Sequence, residues 1–547
     1  MTLKIHSAKF RNAAVPLGPL KKEQRKMPKK FISNSEYPVV STPKGLIRGY
    51  FYDGVFSFKG IKYANAKRFH QPEPVEAWEG VKNALSWGYN CLTLREDSRD
   101  ETAYLDHRYW PKNENCQYLN VWTTTIDNTA KKPVILWIHG GGFADCSAIE
   151  LLCADGEEMV GYGDVVMVSL NHRLNILGFL DVSAYGPQYE NSGNAGLADL
   201  VIALEWIRDN ISAFGGDPDN VTIMGQSGGG GKVCALLQCP AADGLFHKAI
   251  VHSGIHARRQ RPTPETSKIL VGEMLKVLNI SPDEIEKLET VEYHDLVKAY
   301  NTVIPKLRAE GLEPDGWAPL ANGYYQGYAR LDGFYEHALK VPTMIGTCFS
   351  EFEKHPKQPE KYNLTEEEII SLIRNRYSDG ADKMIELFRK AYPEKNLLDL
   401  LVLDAEVRYG SLDHLLKRSA FEGSAPVYSY VFAQEFKNYD NGLTAFHCAE
   451  LPYAFHTTSR VMVCQQEGVE KLEDEMAGAW AAFAHTGDPN HEGLAEWPAF
   501  TKDNHATMVF CEDSHARIDF DTELIRTKNS LDPSFEEKMA MIYRKPE

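Results

Sequence analysis

The 547-residue sequence predicts an α/β fold, a mostly parallel central sheet flanked by helices, with large helical insertions and an N-terminal antiparallel hairpin. Three observations carry this reading. The runs 133–138 and 164–170 are apolar with little alternation, as in strands covered on both faces. Between such runs lie stretches with apolar residues at helical spacing, clearest over 196–213 (Leu200, Ala203, Leu204, Ile207, Ile211). And Val221-Thr222-Ile223-Met224 runs into Gly225-Gln226-Ser227-Gly228-Gly229, an apolar strand turning sharply through a serine into a glycine-rich helix start. Strands alternating with helices give a parallel sheet.

Taken in order, residues 1–30 carry nine Lys/Arg against Glu23 alone. This basic start has no apolar core of roughly 7–15 residues, so it does not read as a secretory signal. Residues 1–35 are expected to be a disordered extension, and Met27 offers an alternative start. Residues 36–70 alternate apolar and polar around Gly/Asp turns and predict a hairpin or meander. Gln71-Pro72-Glu73-Pro74 opens a loop region reaching about 115, and 118–122 resumes a strand. The runs 133–138 and 164–170 follow, then the 196–213 helix, which Phe214-Gly215-Gly216-Asp217-Pro218 ends. Next come the Ser227 strand, its helix to Leu237, and a strand at 248–252. Residues 262–335 read as helical and irregular, 341–346 as a strand, 364–420 as helical, 427–432 as a strand and 466–486 as a helix. No repeat or linker divides the chain, so 36–547 is expected to be one domain.

Hydrophobic residues at 43% and aromatic ones at 11% supply a core. The net charge of −17 argues against nucleic acid or an anionic membrane surface as partner. No window of about 18 apolar residues provides a membrane span. Ten cysteines in this length are not a disulfide scaffold and are expected as thiols of a cytoplasmic protein. His247 and His252 straddle a strand instead of sharing one helical face, so they do not read as a metal pair. Lys232 follows glycines, but Gln226 and Val233 stand where a phosphate-binding loop needs Gly and Ser/Thr.

The serine turn directs the chemistry. Acyl transfer to a serine needs a base for its proton, an acid to orient that base, and donors for the oxyanion. His139-Gly140-Gly141-Gly142-Phe143 follows a buried strand, and its glycines let backbone N–H groups approach a substrate oxygen. Gly141 and Gly142 are candidate donors, joined by the N–H of Gly228 after the nucleophile.

With these residues in view, the chain is similar to the type-B carboxylesterase and cholinesterase family of α/β-hydrolases over about 40–510. The likeness rests on Phe58-Lys59-Gly60-Ile61, on Glu114-Asn115-Cys116-Gln117-Tyr118-Leu119-Asn120-Val121-Trp122 and on Asn171-His172-Arg173-Leu174. It rests equally on Gly193-Asn194-Ala195-Gly196-Leu197-Ala198-Asp199, the Ser227 turn and Thr486-Gly487-Asp488-Pro489-Asn490. The resemblance implies an acid a few residues past a strand-ending Gly-Thr. In Gly346-Thr347-Cys348-Phe349-Ser350-Glu351 that is Glu351, with Glu353 as the weaker rival. It implies a base in Ala445-Phe446-His447-Cys448-Ala449-Glu450-Leu451-Pro452-Tyr453, which is His447; His456 comes too late. Ser253 and Glu450 match positions that buttress the histidine loop.

The implied function is a serine hydrolase of small to medium apolar esters that needs no cofactor or metal and takes a small-molecule ester as its partner. An amide, a lactone or an antibiotic side-chain ester is the alternative bond, and a non-catalytic binding protein the alternative class. Phe143, Trp317, Tyr324 and Tyr325 are implied pocket residues. Cys91 and Cys116 occupy positions that secreted relatives bridge, and are expected close together but reduced. Two departures stand out. Gln226 replaces the family's common Glu beside the nucleophile, which disfavours selection of cationic substrates. Lys232, in the first turn of the next helix, opposes the helix dipole and is expected to be solvated.

Overall fold

The computed structural model describes residues 30–94, 104–256, 262–312, 317–353, 360–439 and 442–532. Among these, twelve strands form the main sheet. In chain order they are β1 (Phe31–Ile32), β2 (Tyr50–Tyr52), β3 (Val55–Lys62), β4 (Tyr118–Thr123), β5 (Lys132–Ile138) and β6 (Val166–Leu170). Then follow β7 (Gly216–Gln226), β8 (Lys248–His252), β9 (Thr343–Cys348), β10 (Val427–Phe432), β11 (Thr507–Phe510) and β12 (His515–Arg517). The spatial order is β1-β2-β3-β4-β6-β5-β7-β8-β9-β10-β11-β12. The strands from β6 to β11 in that order run parallel to one another. The N-terminal strands and β12 pair antiparallel.

The unalternating runs are the centre of this sheet. Val134, Ile135, Leu136 and Ile138 on β5, and Val166 and Val168 on β6, are fully buried because helices cover both faces. The Ala195–Asn210 helix is buried on nearly every side and ends in a short 3-10 turn. Gly215, at φ +79°, then turns the chain back into β7. The insertion after β8 contributes the helices Pro264–Leu278 and Tyr293–Ala309, which pack together around Leu270, Met274, Leu296 and Val303.

Several expectations need adjusting. Phe31 and Ile32, placed in the disordered extension, pair with Tyr52 and Phe51 at the sheet edge. Residues 1–29 of the expected extension, with Met27, lie outside the described residues. The strand expected at 341–346 begins at Thr343, because Pro342 has no N–H for the ladder. β11, β12 and a closing helix at Thr522–Leu531 extend an architecture that short apolar runs did not announce.

The strand order locates the cleft. The chain leaves β5 for β6 on one side, then crosses back to place β7 on the other side of β5. Such a switch point opens a crevice beyond the carboxyl ends of the strands. The carboxyl end of β5 delivers His139–Gly142 and that of β7 delivers Ser227; β8 delivers Ser253 and β9 delivers Glu351.

Candidate active site

Ser227 caps the Gly228–Leu237 helix at φ 57°, ψ −124°, a conformation rarely held by a residue with a side chain. It is pinned from both sides: its N–H donates to the His252 carbonyl at 2.8 Å, and its carbonyl accepts from Gly231 at 3.0 Å. Glycine is required next to it. A Cβ on Gly228 would lie 2.0 Å from the Gly142 carbonyl oxygen, and one on Gly225 would lie 2.4 Å from the Gly229 carbonyl carbon. The helix start therefore touches the glycine loop of β5, and the first-turn N–H groups open toward the cleft.

Glu351 lies just past β9 at φ 46° and is 2% exposed. Its Oε1 accepts from Ser253 Oγ at 2.6 Å and from the Cys348 N–H at 2.7 Å, while its Oε2 is in hydrogen-bond contact with His447 Nδ1. The histidine loop is zipped to the acid loop by the backbone, His447 N–H to Glu351 carbonyl at 2.9 Å and Ser350 N–H to Ala445 carbonyl at 2.9 Å. With its Nδ1 proton directed at the carboxylate, His447 keeps the lone pair on Nε2. That atom accepts from the Gln226 side-chain amide at 3.1 Å. Phe352 lies against the imidazole with ring centroids 3.9 Å apart. His456 sits elsewhere, paired with Asp474 at 3.2 Å and stacked on Tyr162.

A second buried layer supports the first. Trp480 Nε1–H donates to His252 Nε2 at 3.0 Å, so the His252 proton is on Nδ1. Nδ1 lies 2.8 Å from the Tyr430 hydroxyl and 3.3 Å from Glu450 Oε1. Glu450 Oε2 accepts from the Cys348 thiol at 2.9 Å. Burial alone would raise the Glu450 carboxyl, but His252 and Cys348 outweigh it and hold Glu450 below the usual carboxylate range. Burial and the neighbouring carboxylates push the Cys348 thiol up, so it stays a donor. Ser253 thus lies against Glu351, and Glu450 lies behind it against His252 and Cys348. His252, Trp480, Cys348 and Phe352 were not singled out as site residues; Cys348 lies within the Gly346–Glu351 motif, and Trp480-Ala481-Ala482-Phe483 is a further run of the family likeness.

On the opposite wall, Gly141 and Gly142 adopt φ +78° and +62°. The Gly141 carbonyl accepts from Ala144 and Asp145 at 3.2 and 2.9 Å. Trp317 lies beside this loop, 3.4 Å from where a Gly142 Cβ would be. Phe143 packs edge-on against Phe179 and is buried, Tyr325 is core, and Tyr324 packs against the core. Trp317 thus borders the glycine loop from which the candidate oxyanion donors come.

Lys232 corrects an expectation: it is fully buried, not solvated. The helix start is wedged under the glycine loop, so its first turn faces protein, and the ammonium donates to the His139 carbonyl at 3.0 Å. Cys91 and Cys116 are buried thiols in one small cluster with Leu174 and Leu177. His247 Nδ1 accepts from the Val221 N–H, and among the described residues no group of three or more His, Cys, Asp or Glu is arranged to hold a metal ion. No helix of the described residues is long and apolar enough to cross a membrane.

Comparison with known proteins agrees with this geometry. A sequence profile of the carboxylesterase family matches residues 36–525. The para-nitrobenzyl esterase of Bacillus subtilis (strain 168) is 32% identical over 514 residues, covering 89% of this chain and 97% of that one. Phenmedipham hydrolase of Pseudarthrobacter oxydans is 29% identical, covering 86% of this chain and 94% of that one. Among solved structures, an esterase from anaerobic Clostridium hathewayi that can hydrolyze aliphatic aromatic polyesters superposes with a TM-score of 0.88 at 44% identity. The match covers 92% of this chain and 100% of that one. A strand-turn-helix serine, a buried acid–histidine pair and a glycine loop on an α/β-hydrolase sheet, together with these matches, place the chain in the carboxylesterase family, whose members hydrolyse carboxylic esters.

Proposed function

We propose that the chain cleaves small to medium apolar carboxylic esters through an acyl-enzyme on Ser227. The observation that carries this is the buried Glu351–His447 pair, held from behind by Ser253 and Cys348 and reached from the Ser227 turn through Gln226. Once the Gln226 amide gives up Nε2, that atom of His447 takes the Ser227 proton as the hydroxyl attacks the ester carbonyl, and Glu351 steadies the imidazolium. The N–H groups of Gly141, Gly142 and Gly228 receive the oxyanion. His447 then protonates the leaving alcohol, and water, deprotonated by the same nitrogen, releases the acid.

Trp317 at the glycine loop and Phe352 against His447 favour esters with an apolar or aromatic part. The polyester activity of the Clostridium hathewayi esterase makes aromatic diesters an expected substrate class. Amides, lactones and antibiotic side-chain esters are the second reading, on the same residues. The test is hydrolysis of a p-nitrophenyl acyl series by wild type and Ser227→Ala. Wild-type activity peaking at one chain length, and lost by at least about 10⁴-fold in the variant, is the expected result; an active Ser227→Ala protein contradicts it.

We also place the protein in the cytoplasm, on its ten cysteines, all thiols. Rapid alkylation in intact cells, read by mass spectrometry, should modify Cys91 and Cys116 once the protein is unfolded in the reagent. A pair blocked by a disulfide contradicts the assignment.

A further inference from the structure

Lys232 lies directly beneath the candidate oxyanion loop. Its Nζ donates to the His139 carbonyl at 3.0 Å and approaches the Gly140 carbonyl at 3.5 Å, and its ammonium stands 5.8 Å from the Phe143 ring centre. His139 Nδ1 donates to the same Gly140 carbonyl at 3.0 Å. A peptide unit is planar and trans, so a carbonyl and the N–H that follows it point to opposite sides. Drawing the His139 and Gly140 carbonyls inward therefore turns the N–H groups of Gly140 and Gly141 outward. The next peptide is held the same way by backbone alone, since the Gly141 carbonyl accepts from Ala144 and Asp145, which aims the Gly142 N–H. A buried cation here works against the dipole of its own helix, and the two carbonyls and the Phe143 face compensate it. Burial, then Lys232, push His139 and His172 well below the ordinary imidazole range. His139 is thus a neutral donor to the loop.

We propose that Lys232 is a positioning residue for the oxyanion: through the His139 and Gly140 carbonyls it holds the glycine loop so that the Gly141 N–H faces the cleft, and it sets a positive charge behind that loop. It rests on the reading of Ser227 as nucleophile, and it acts on the tetrahedral intermediate far more than on the bound ester, whose carbonyl oxygen carries little charge.

The test is Lys232→Met, which keeps the stem and removes the ammonium. kcat and KM for p-nitrophenyl butyrate are measured per active site, counted by a fluorophosphonate, together with inhibition by a trifluoromethyl ketone that serine converts to a tetrahedral alkoxide. The expected result is a kcat lower by about 10²-fold and a ketone affinity lower by a similar factor, with KM changed less than about threefold. If Lys232→Met does not fold, Lys232→Gln, which retains one N–H for a carbonyl without the charge, is read instead with an expected loss of about tenfold. Kinetics and ketone affinity like those of wild type, or a raised KM with kcat unchanged, overturn the proposal. Ser227→Ala is run alongside. If it stays active the nucleophile reading fails, whereas an inactive Ser227→Ala with a wild-type-like Lys232→Met rejects the Lys232 role alone.

Discussion

Gln226 donates its amide N–H to the atom of His447 that the proposed mechanism uses as base. A neutral neighbour leaves the imidazole's charge state to Glu351 on one side and the amide dipole on the other. A carboxylate at 226 would stabilise the imidazolium and raise the pKa of the base. Gln226→Glu should therefore move the acid limb of the kcat/KM profile to higher pH by about one unit, with activity at low pH falling most; an unmoved limb would show that residue 226 does not sense His447. The family resemblance pointed to Glu351 and His447 because each sits at a fixed offset from a motif, and the two are in hydrogen-bond contact. Partners such as Gln226 on Nε2 or Phe352 on the ring were not readable, because they depend on how two loops from distant parts of the chain meet. Lys232 shows the same limit. A lysine after four glycines reads as solvated until the glycine loop of β5 is seen to cover it.

At the scale of elements, the junction between the β5 loop and the Gly228–Leu237 helix is the tightest part of the site. Members of the family often carry alanine after the nucleophile, but here a methyl group at 228 would collide with the Gly142 carbonyl oxygen. Gly228→Ala should push the loop away and misalign the Gly142 N–H. Loss of one such donor lowers kcat by about 10²-fold, so the variant should be crippled in turnover while its far-ultraviolet circular dichroism stays native. A Gly228→Ala enzyme with full kcat would mean that this loop is not where the oxyanion sits. The helix and both strands that form the junction were legible, since unalternating apolar runs and a helical period are strong signals. The two- to four-residue strands β1, β11 and β12 were not, because so few residues show no period and take their state from the edge they join.

Across the whole molecule, the fold holds several histidines neutral in its interior. Burial, then Arg418 and Arg330, push His414 down from 6.5 to about 3, and His139 and His172 are lowered in the same direction. In the unfolded chain His414 takes up a proton below 6.5, whereas in the folded chain it does so only near 3. Stability from this group is therefore complete above the upper value and is lost as pH falls toward the lower one, at up to about 1.4 kcal/mol per pH unit. Urea unfolding between pH 7 and 4 should show falling stability, and His414→Gln should flatten the slope; an unchanged slope would remove His414 from the account. This behaviour was not legible in a list of 18 histidines. What the sequence did convey was the order of strands and loops, and with it that Ser227 follows β7 and Glu351 follows β9, on one end of the parallel sheet.

The most direct measurement of the central claim is to inactivate the native enzyme with a fluorophosphonate and locate the adduct by peptide mass spectrometry. The account predicts one adduct per chain, on Ser227, with esterase activity lost in proportion to labelling. An adduct on another residue, or activity that survives complete labelling of Ser227, would contradict it.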